Sequence, residues 1–321
     1  MLPINRRQLI LAGTMAALTQ VSDAAPVHTG EPGGKTLLLW PDGAPGAGRV
    51  TAREEIVERL PDGPLRDRFV HHVTRPLLTL FPPRGKPNGV TLLIIPGGAY
   101  LRVVIDKEGF EAAEWFSARG FTAAVLRYRL PGDGWPAGAD APVHDAIRAM
   151  RLLRADRHSE NVGASKLGVM GYSAGGHVAA RLITEPTLDY ARYDEADTLS
   201  SRPDFAILVY PVILMGGANA HSGSAQELLT AGGRNADLRR YSADLNVAAG
   251  TPRTMLVHAA DDPGVPVANS LAMYAALRKA NVRSELHVFD RGGHGFGLRA
   301  ITGKTVAAWP TLAENWALND E

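Results

Sequence analysis

The chain has 321 residues, with 34 Lys and Arg against 33 Asp and Glu, 45% hydrophobic residues and no cysteine. The charge balance leaves no electrostatic footprint for nucleic acid or an anionic membrane surface. The lack of cysteine excludes disulfides, thiolate metal sites and a thiol nucleophile, so covalent chemistry falls to hydroxyl, carboxylate, amine or imidazole groups.

Residues 1–24 have the layout of a signal peptide. Arg6-Arg7 gives a basic start, Leu9 to Val21 an apolar-leaning run, and Ser22 and Ala24 the small residues before a cut ahead of Ala25. The paired arginines resemble a bacterial twin-arginine signal, which predicts an exported protein, periplasmic or secreted. The run is too short to span a bilayer. Without Arg6, Arg7 and Asp23 the remaining chain is formally neutral, a balance that suits an uncharged or mixed substrate over a polyanion. Residues 25–35, rich in Pro and Gly, read as a flexible tether.

Residues 36–321 read as one domain. Apolar runs at 36–40, 76–81, 90–95, 122–128, 167–171, 205–212, 254–258 and 284–289 predict strands. Amphipathic patterns at 109–119, 140–155, 174–184, 267–280 and 305–316 predict helices. In 140–155, Asp140 is placed as a cap, Pro142 falls in the first turn, and Val143, Ile147, Met150 and Leu153 recur at helical spacing. Near-continuous apolar strands alternating with helices predict an α/β fold: a mostly parallel central sheet of about eight strands with helices on both faces. The segment 213–250 breaks the rhythm with Gly216-Gly217, Gly223 and Gly232-Gly233, and reads as a lid insertion over one end of the sheet.

Four stretches carry chemistry. In TLLIIPGGAY (91–100) an apolar strand runs into a Pro-Gly-Gly turn, which exposes backbone N–H groups at the end of the sheet. In LGVMGYSAGGHVAAR (167–181) a strand, a G-x-S-x-G turn and a helix follow in order. Ser173 then stands on a sharp turn where only small neighbours, Gly171 and Gly175, let strand and helix approach. The helix N-terminus favours developing negative charge there. The oxyanion donors expected are the amides of Gly98, Ala99 and Ala174, with the inward-pointing loop amide left open. In TMLVHAADDPGVPVANS (254–270) a strand ends at Asp261-Asp262; Asp262 is the acid expected and Asp261 its rival, otherwise a turn cap. In HVFDRGGHGFGL (287–298) His294 sits among glycines, in a loop free to reach across the sheet top. The order Ser173, Asp262, His294 is that of the α/β-hydrolase fold: nucleophile, orienting acid and general base.

Of the other histidines, His71-His72 reads as solvated, His177 as packed on its helix, and His258 as a hydrogen-bonding partner near the acid loop. With no H-E-x-x-H, no P-loop and no G-x-G-x-x-G after a strand, neither a metal nor a nucleotide cofactor is expected.

Taken together, LLLWPDGAPGAG (37–48), IIPGGAYLRVVIDKEGFEAAEWFSARGF (94–121), VLRYRLPGDGW (125–135), APVHDAIRAMRLLR (141–154), GVMGYSAGGHVAA (168–180), LVHAADDPGVPVANSLAMYAALRKANV (256–282) and ELHVFDRGGHGFGL (285–298) resemble α/β-hydrolase esterases. More narrowly, the chain is similar to bacterial secreted acetylxylan esterase-like enzymes near the hormone-sensitive-lipase-like and prolyl-oligopeptidase-like branches. The resemblance implies a serine esterase with Ser173, Asp262 and His294 as the triad, Gly98 and Ala99 in the oxyanion loop, and a carbohydrate acyl ester, typically acetyl on xylan or xylo-oligosaccharides, as substrate. Relatives often carry three glycines where this chain has Gly97-Gly98-Ala99; alanine keeps its N–H but loses backbone freedom. Tyr100, Tyr172 and Trp135 are the candidate substrate contacts, each with a rival reading as wall or plug. Arg102, Asp106, Lys107 and Glu108 either bind substrate or pair with one another. The other readings are a feruloyl or aryl esterase, a peptidase of this fold, or a non-catalytic binding protein.

Overall fold

A computed structural model describes residues 35–159, 166–232 and 237–319. The signal-peptide and tether readings, over residues 1–24 and 25–35, lie outside these residues except for Lys35. Among the described residues no helix is long and apolar enough to cross a membrane.

The strands, in chain order, are β1 (Thr36–Leu38), β2 (Glu55–Glu58), β3 (Arg68–His71), β4 (Leu77–Phe81), β5 (Val90–Ile95), β6 (Thr122–Arg127), β7 (Lys166–Tyr172), β8 (Phe205–Val209), β9 (Arg253–Ala259) and β10 (Ser284–Phe289). The helices are α1 (Glu111–Ser117), α2 (Ala141–Ser159), α3 (Ser173–Thr184), α4 (Ser222–Gly232), α5 (Ala268–Lys279) and α6 (Trp309–Leu318). Eight strands form one sheet in the order β1-β4-β6-β5-β7-β8-β9-β10, and β2 pairs with β3 in a separate ribbon. β1 and β4 run antiparallel to their neighbours, and from β6 to β10 all pairings are parallel. All eight expected strands are in this sheet, so the fold class read from the sequence stands. The ribbon β2–β3 and α4 were not foreseen.

The pattern of burial explains the layers. Every residue of β5 and β8 is buried, which requires cover on both sheet faces. The chain steps one way from β5 to β6 and the other way from β6 to β7 and onward. Right-handed crossovers then put α1 on one face and α2, α3 and α5 on the other. An Arg119–Glu314 ion pair of 3.3 Å ties the end of α1 to α6.

Buried ions fix the connections. Arg129 and Asp145, both fully buried, pair at 2.8 Å, and the Trp40 indole N–H donates to the same carboxylate at 2.8 Å. Arg148 on α2 holds Asp194 and Asp197, and Arg181 on α3 holds Asp140 and Glu185. Asp140, expected as the α2 cap, thus spends one carboxylate oxygen on Arg181.

Candidate active site

Strand β7 ends at Tyr172 and α3 begins at Ser173 with no loop residue between them. Ser173 has φ +51°, in the left-handed region that a side chain rarely adopts. A β-carbon at Gly171 would lie 2.4 Å from the Gly175 carbonyl oxygen, and one at Gly175 would lie 2.2 Å from that of Ile95. The two glycines therefore allow the close approach that the motif requires.

The Ser173 hydroxyl lies 2.9 Å from His294 Nε2, and His294 Nδ1 lies 2.7 Å from Asp262 Oδ2. A carboxylate only accepts, so Nδ1 carries the proton and Nε2 accepts from the serine. Asp262 Oδ1 accepts the N–H groups of Gly264 and Val265, both at 2.8 Å. Burial pushes this carboxyl up, but hydrogen bonds from His258 and His294, the charge of His294 and the Val265 amide outweigh it, holding it well below the usual carboxylate range. His258 Nε2 is 2.9 Å from the Val265 carbonyl and 3.4 Å from Asp262 Oδ2, while Nδ1 faces the Ser270 hydroxyl at 2.7 Å. The carbonyl demands a donor, so Nε2–H points at the acid loop, as expected for His258. The rival Asp261 does something else: its Oδ1 accepts from Gly292 and Gly293 at 2.8 Å each, bracing the glycine loop that carries His294.

The loop after β5 is held by its carbonyls. Gly97 O accepts from Val104 N, and Gly98 O accepts from both Leu101 N and Arg102 N. The Gly97 amide donates to Glu108 Oε2 at 2.9 Å. That leaves the amides of Gly98 and Ala99 with no acceptor among the described residues. Ala174, in the first turn of α3, has no intrahelical acceptor either. Gly98 has φ +134°, and a β-carbon there would sit 2.1 Å from the Arg102 carbonyl oxygen. Ala99 also has a left-handed φ of +58°, a cost of about 1 kcal/mol.

The three aromatic candidates need correction. Tyr100, Tyr172 and Trp135 are 1%, 0% and 3% exposed and do not line the cavity at Ser173. Tyr100 adopts φ +65°, which turns its ring into the core, where its hydroxyl meets His177 Nδ1 at 2.6 Å. Tyr172 packs against Tyr210 and Trp309, and Trp135 lies under the Arg129 guanidinium.

The cavity beside Ser173 and His294 has a volume of about 310 Å³. Its wall brings in side chains that the motifs did not single out. His221 comes from the 213–250 segment. Its Nδ1 accepts the Ser224 N–H at 3.1 Å, which leaves Nε2 as the protonated nitrogen. Burial, and then the charge of His294, push its pKa down. Tyr210 lays its ring edge against the His294 imidazole, centroids 5.1 Å apart, and donates its hydroxyl to Glu108 Oε1 at 3.0 Å. Of the four charged residues after the oxyanion loop, Asp106 is spent on Arg68 and Glu108 on Gly97 and Tyr210, while Arg102, Lys107 and Glu108 line the cavity. Among the described residues no cluster of His, Asp or Glu is arranged to hold a metal ion.

His177 supports the loop from below. Its Nε2 donates to the Tyr241 carbonyl at 2.7 Å and its Nδ1 accepts the Tyr100 hydroxyl. Burial, then the charge of Arg181, pull its pKa down to about 3, only partly offset by the bond to Tyr241. The unfolded chain takes up a proton near pH 6.5 and the folded chain does not, so stability falls as pH drops from about 6.5 toward 3. Between pH 6.5 and 5 this group is expected to cost about 2 kcal/mol. His177→Gln keeps one donor and one acceptor without a titrating proton, and should flatten that part of the slope. Urea midpoints at the two pH values for both proteins check it; equal slopes would refute the assignment to His177.

The comparisons bear on the family and the fold. The sequence profile of the BD-FAE family matches residues 78–277, a span that holds Ser173 and Asp262. An acetylxylan esterase from Xylanibacter ruminicola is 32% identical over 216 residues, covering 66% of this chain and 42% of that protein. An endo-1,4-beta-xylanase B from Butyrivibrio fibrisolvens is 35% identical over 204 residues, covering 64% of this chain and 32% of that protein. The chain thus spans well under half the length of these two curated relatives. The crystal structure of an acetyl ester-xyloside bifunctional hydrolase from Caldicellulosiruptor lactoaceticus superposes with a TM-score of 0.69 at 31% identity, over 89% of this chain and 96% of that one. With the profile running from β4 into α5 and the eight-stranded sheet carrying the serine turn at its centre, the chain belongs to the BD-FAE family and has an α/β-hydrolase fold.

Proposed function

We propose that the chain is a serine esterase that removes short acyl groups, acetyl foremost, from carbohydrate esters of the xylan type. The observation that carries this reading is the hydroxyl–imidazole–carboxylate relay at 2.9 and 2.7 Å, in a cavity also lined by Gly98 and Ala99, whose amides have no acceptor among the described residues. In the proposed reaction Ser173 Oγ attacks the ester carbonyl carbon and its proton passes to His294 Nε2. The carbonyl oxygen becomes an oxyanion facing the amides of Gly98, Ala99 and Ala174. Asp262, kept ionised, stabilises the imidazolium. The alcohol leaves with the proton from His294, and water repeats the sequence to release the acid and restore Ser173.

The names of the relatives support the acetyl and xylan parts of the reading. An aryl acyl group gains no support from Tyr100, Tyr172 or Trp135, since all three are buried. The test is a set of acetyl, butyryl and feruloyl esters together with acetylated xylo-oligosaccharides. Acetate release from the oligosaccharides is expected, with one acetyl group found on the Ser173 peptide after an acid quench. Turnover of 4-nitrophenyl acetate with none of any acetylated sugar would remove the carbohydrate part. Inertness toward every ester, with Ser173 unlabelled by a fluorophosphonate, would remove the whole reading.

A further inference from the structure

The chain is balanced in charge as a whole, but the cavity at Ser173 is not. Arg59, Arg102 and Lys107 line it, against Glu108 as the one carboxylate. The charges differ in what they already hold. Arg59 pairs with Asp67 at 2.5 Å. Glu108 is engaged through both oxygens, by the Gly97 amide and the Tyr210 hydroxyl. Arg102 lies over the Phe69 ring, 5.1 Å from its centroid, and its buried Nε meets no acceptor among the described residues. Lys107 runs along the glycine loop of His294, its Nζ 3.7 Å from where a β-carbon of Gly295 would stand. Neither Arg102 nor Lys107 makes an ion pair with any described residue. His221 carries no negative charge in either protonation state, and the Asp262 carboxylate is turned away to His294 and His258.

A half-buried cation without an anionic partner gives up hydration, which a ring contact such as that of Arg102 with Phe69 only partly makes good. Two of them, converging on one cavity beside a candidate nucleophile, make sense where a ligand brings the negative charge. The guanidinium offers a planar fork that fits a carboxylate, and the ammonium a point charge. We infer that the site takes an ester that also carries a free carboxylate, bound between Arg102 and Lys107. This rests on the esterase reading and narrows its substrate to an acidic ester. The carboxylate belongs either to the acyl group, as in a dicarboxylic half-ester, or to the alcohol, as in an acetylated sugar acid.

Two matched pairs of substrates test it. Phenyl hemisuccinate is set against phenyl butyrate, corrected for the uncatalysed reaction, and an O-acetylated methyl glucuronoside against the corresponding methyl glucoside. In one pair, kcat/KM for the acidic member is expected to exceed that for the neutral member by about tenfold or more, and the pair that responds tells which side of the ester carries the charge. The ratio should shrink as salt is raised. Arg102→Gln and Lys107→Gln should each lower it severalfold, and together bring it near one. Turnover of the neutral members with no preference for either acid overturns the inference and leaves the esterase reading intact, as does a preference that survives the double variant. Failure to cleave any of the four overturns both.

Discussion

Ser173→Ala is expected to lower kcat on an acetyl ester by roughly 10⁴-fold or more. The hydroxyl is the one group within 2.9 Å of His294 Nε2 that is placed to attack, and without it the imidazole has no proton to accept from the chain. The loss should fall on kcat, since the alanine variant keeps the cavity wall. A residual rate above water is expected, because Gly98, Ala99 and Ala174 still present their amides. The fold should be unaffected: the hydroxyl makes no other hydrogen bond among the described residues, and alanine tolerates φ +51° about as poorly as serine does. Turnover and thermal midpoint measured on the same preparation check both halves. A variant retaining a tenth of the wild-type kcat would exclude Ser173 as nucleophile.

Gly175→Ala is expected to damage stability and rate together. Its new methyl would stand 2.2 Å from the Ile95 carbonyl oxygen and 2.3 Å from that of Pro96. Both are backbone atoms at the end of β5, so no side chain can swing aside. Either α3 moves away from β5 or the loop after β5 moves away from α3. Overpacking of this kind costs about 3 kcal/mol. The shift also separates Ser173, carried by α3, from Gly98 and Ala99, carried by the loop. A displacement approaching 1 Å between nucleophile and oxyanion donors costs about 10²-fold in rate. Urea midpoints and kcat/KM measured side by side check this. A stable variant with a near-normal rate would contradict the packing argument. Ser173→Ala, by contrast, should lose rate alone.

The sequence discloses the serine turn, the acid and the histidine because each is announced by backbone chemistry. A strand must stop, glycines must admit a close approach, and a polar residue must stand where the chain reverses. Of the adjacent pair, Asp262, the acid expected, faces the imidazole, and its rival Asp261 clamps Gly292 and Gly293. The aromatic residues misled because nearness to a motif says nothing of direction. Tyr172 is the last residue of a strand buried on both faces, and Tyr100 is turned inward by a left-handed φ that no pattern announces in a tyrosine. His221 was illegible for another reason. It belongs to a stretch without periodicity, and tertiary packing alone brings it over Ser173. The ribbon β2–β3 escapes notice because Glu55–Glu58 carries charge at both ends and its residues are exposed or half-exposed, so nothing there alternates cleanly. The inner strands of the sheet are plain because strands buried on both faces write continuous apolar runs.

The carbonyls of Gly97 and Gly98 are already taken by Val104, Leu101 and Arg102. Rotating either peptide plane would break those bonds, so the Gly98 and Ala99 amides keep the orientation they have here, without an acceptor among the described residues, whether or not an ester is bound. The resting state and the working state of this loop are then the same, and nothing in it remains to be switched on. Control over such a protein would fall on what reaches the cavity and on how much of the chain is made, and its turnover would begin without a lag.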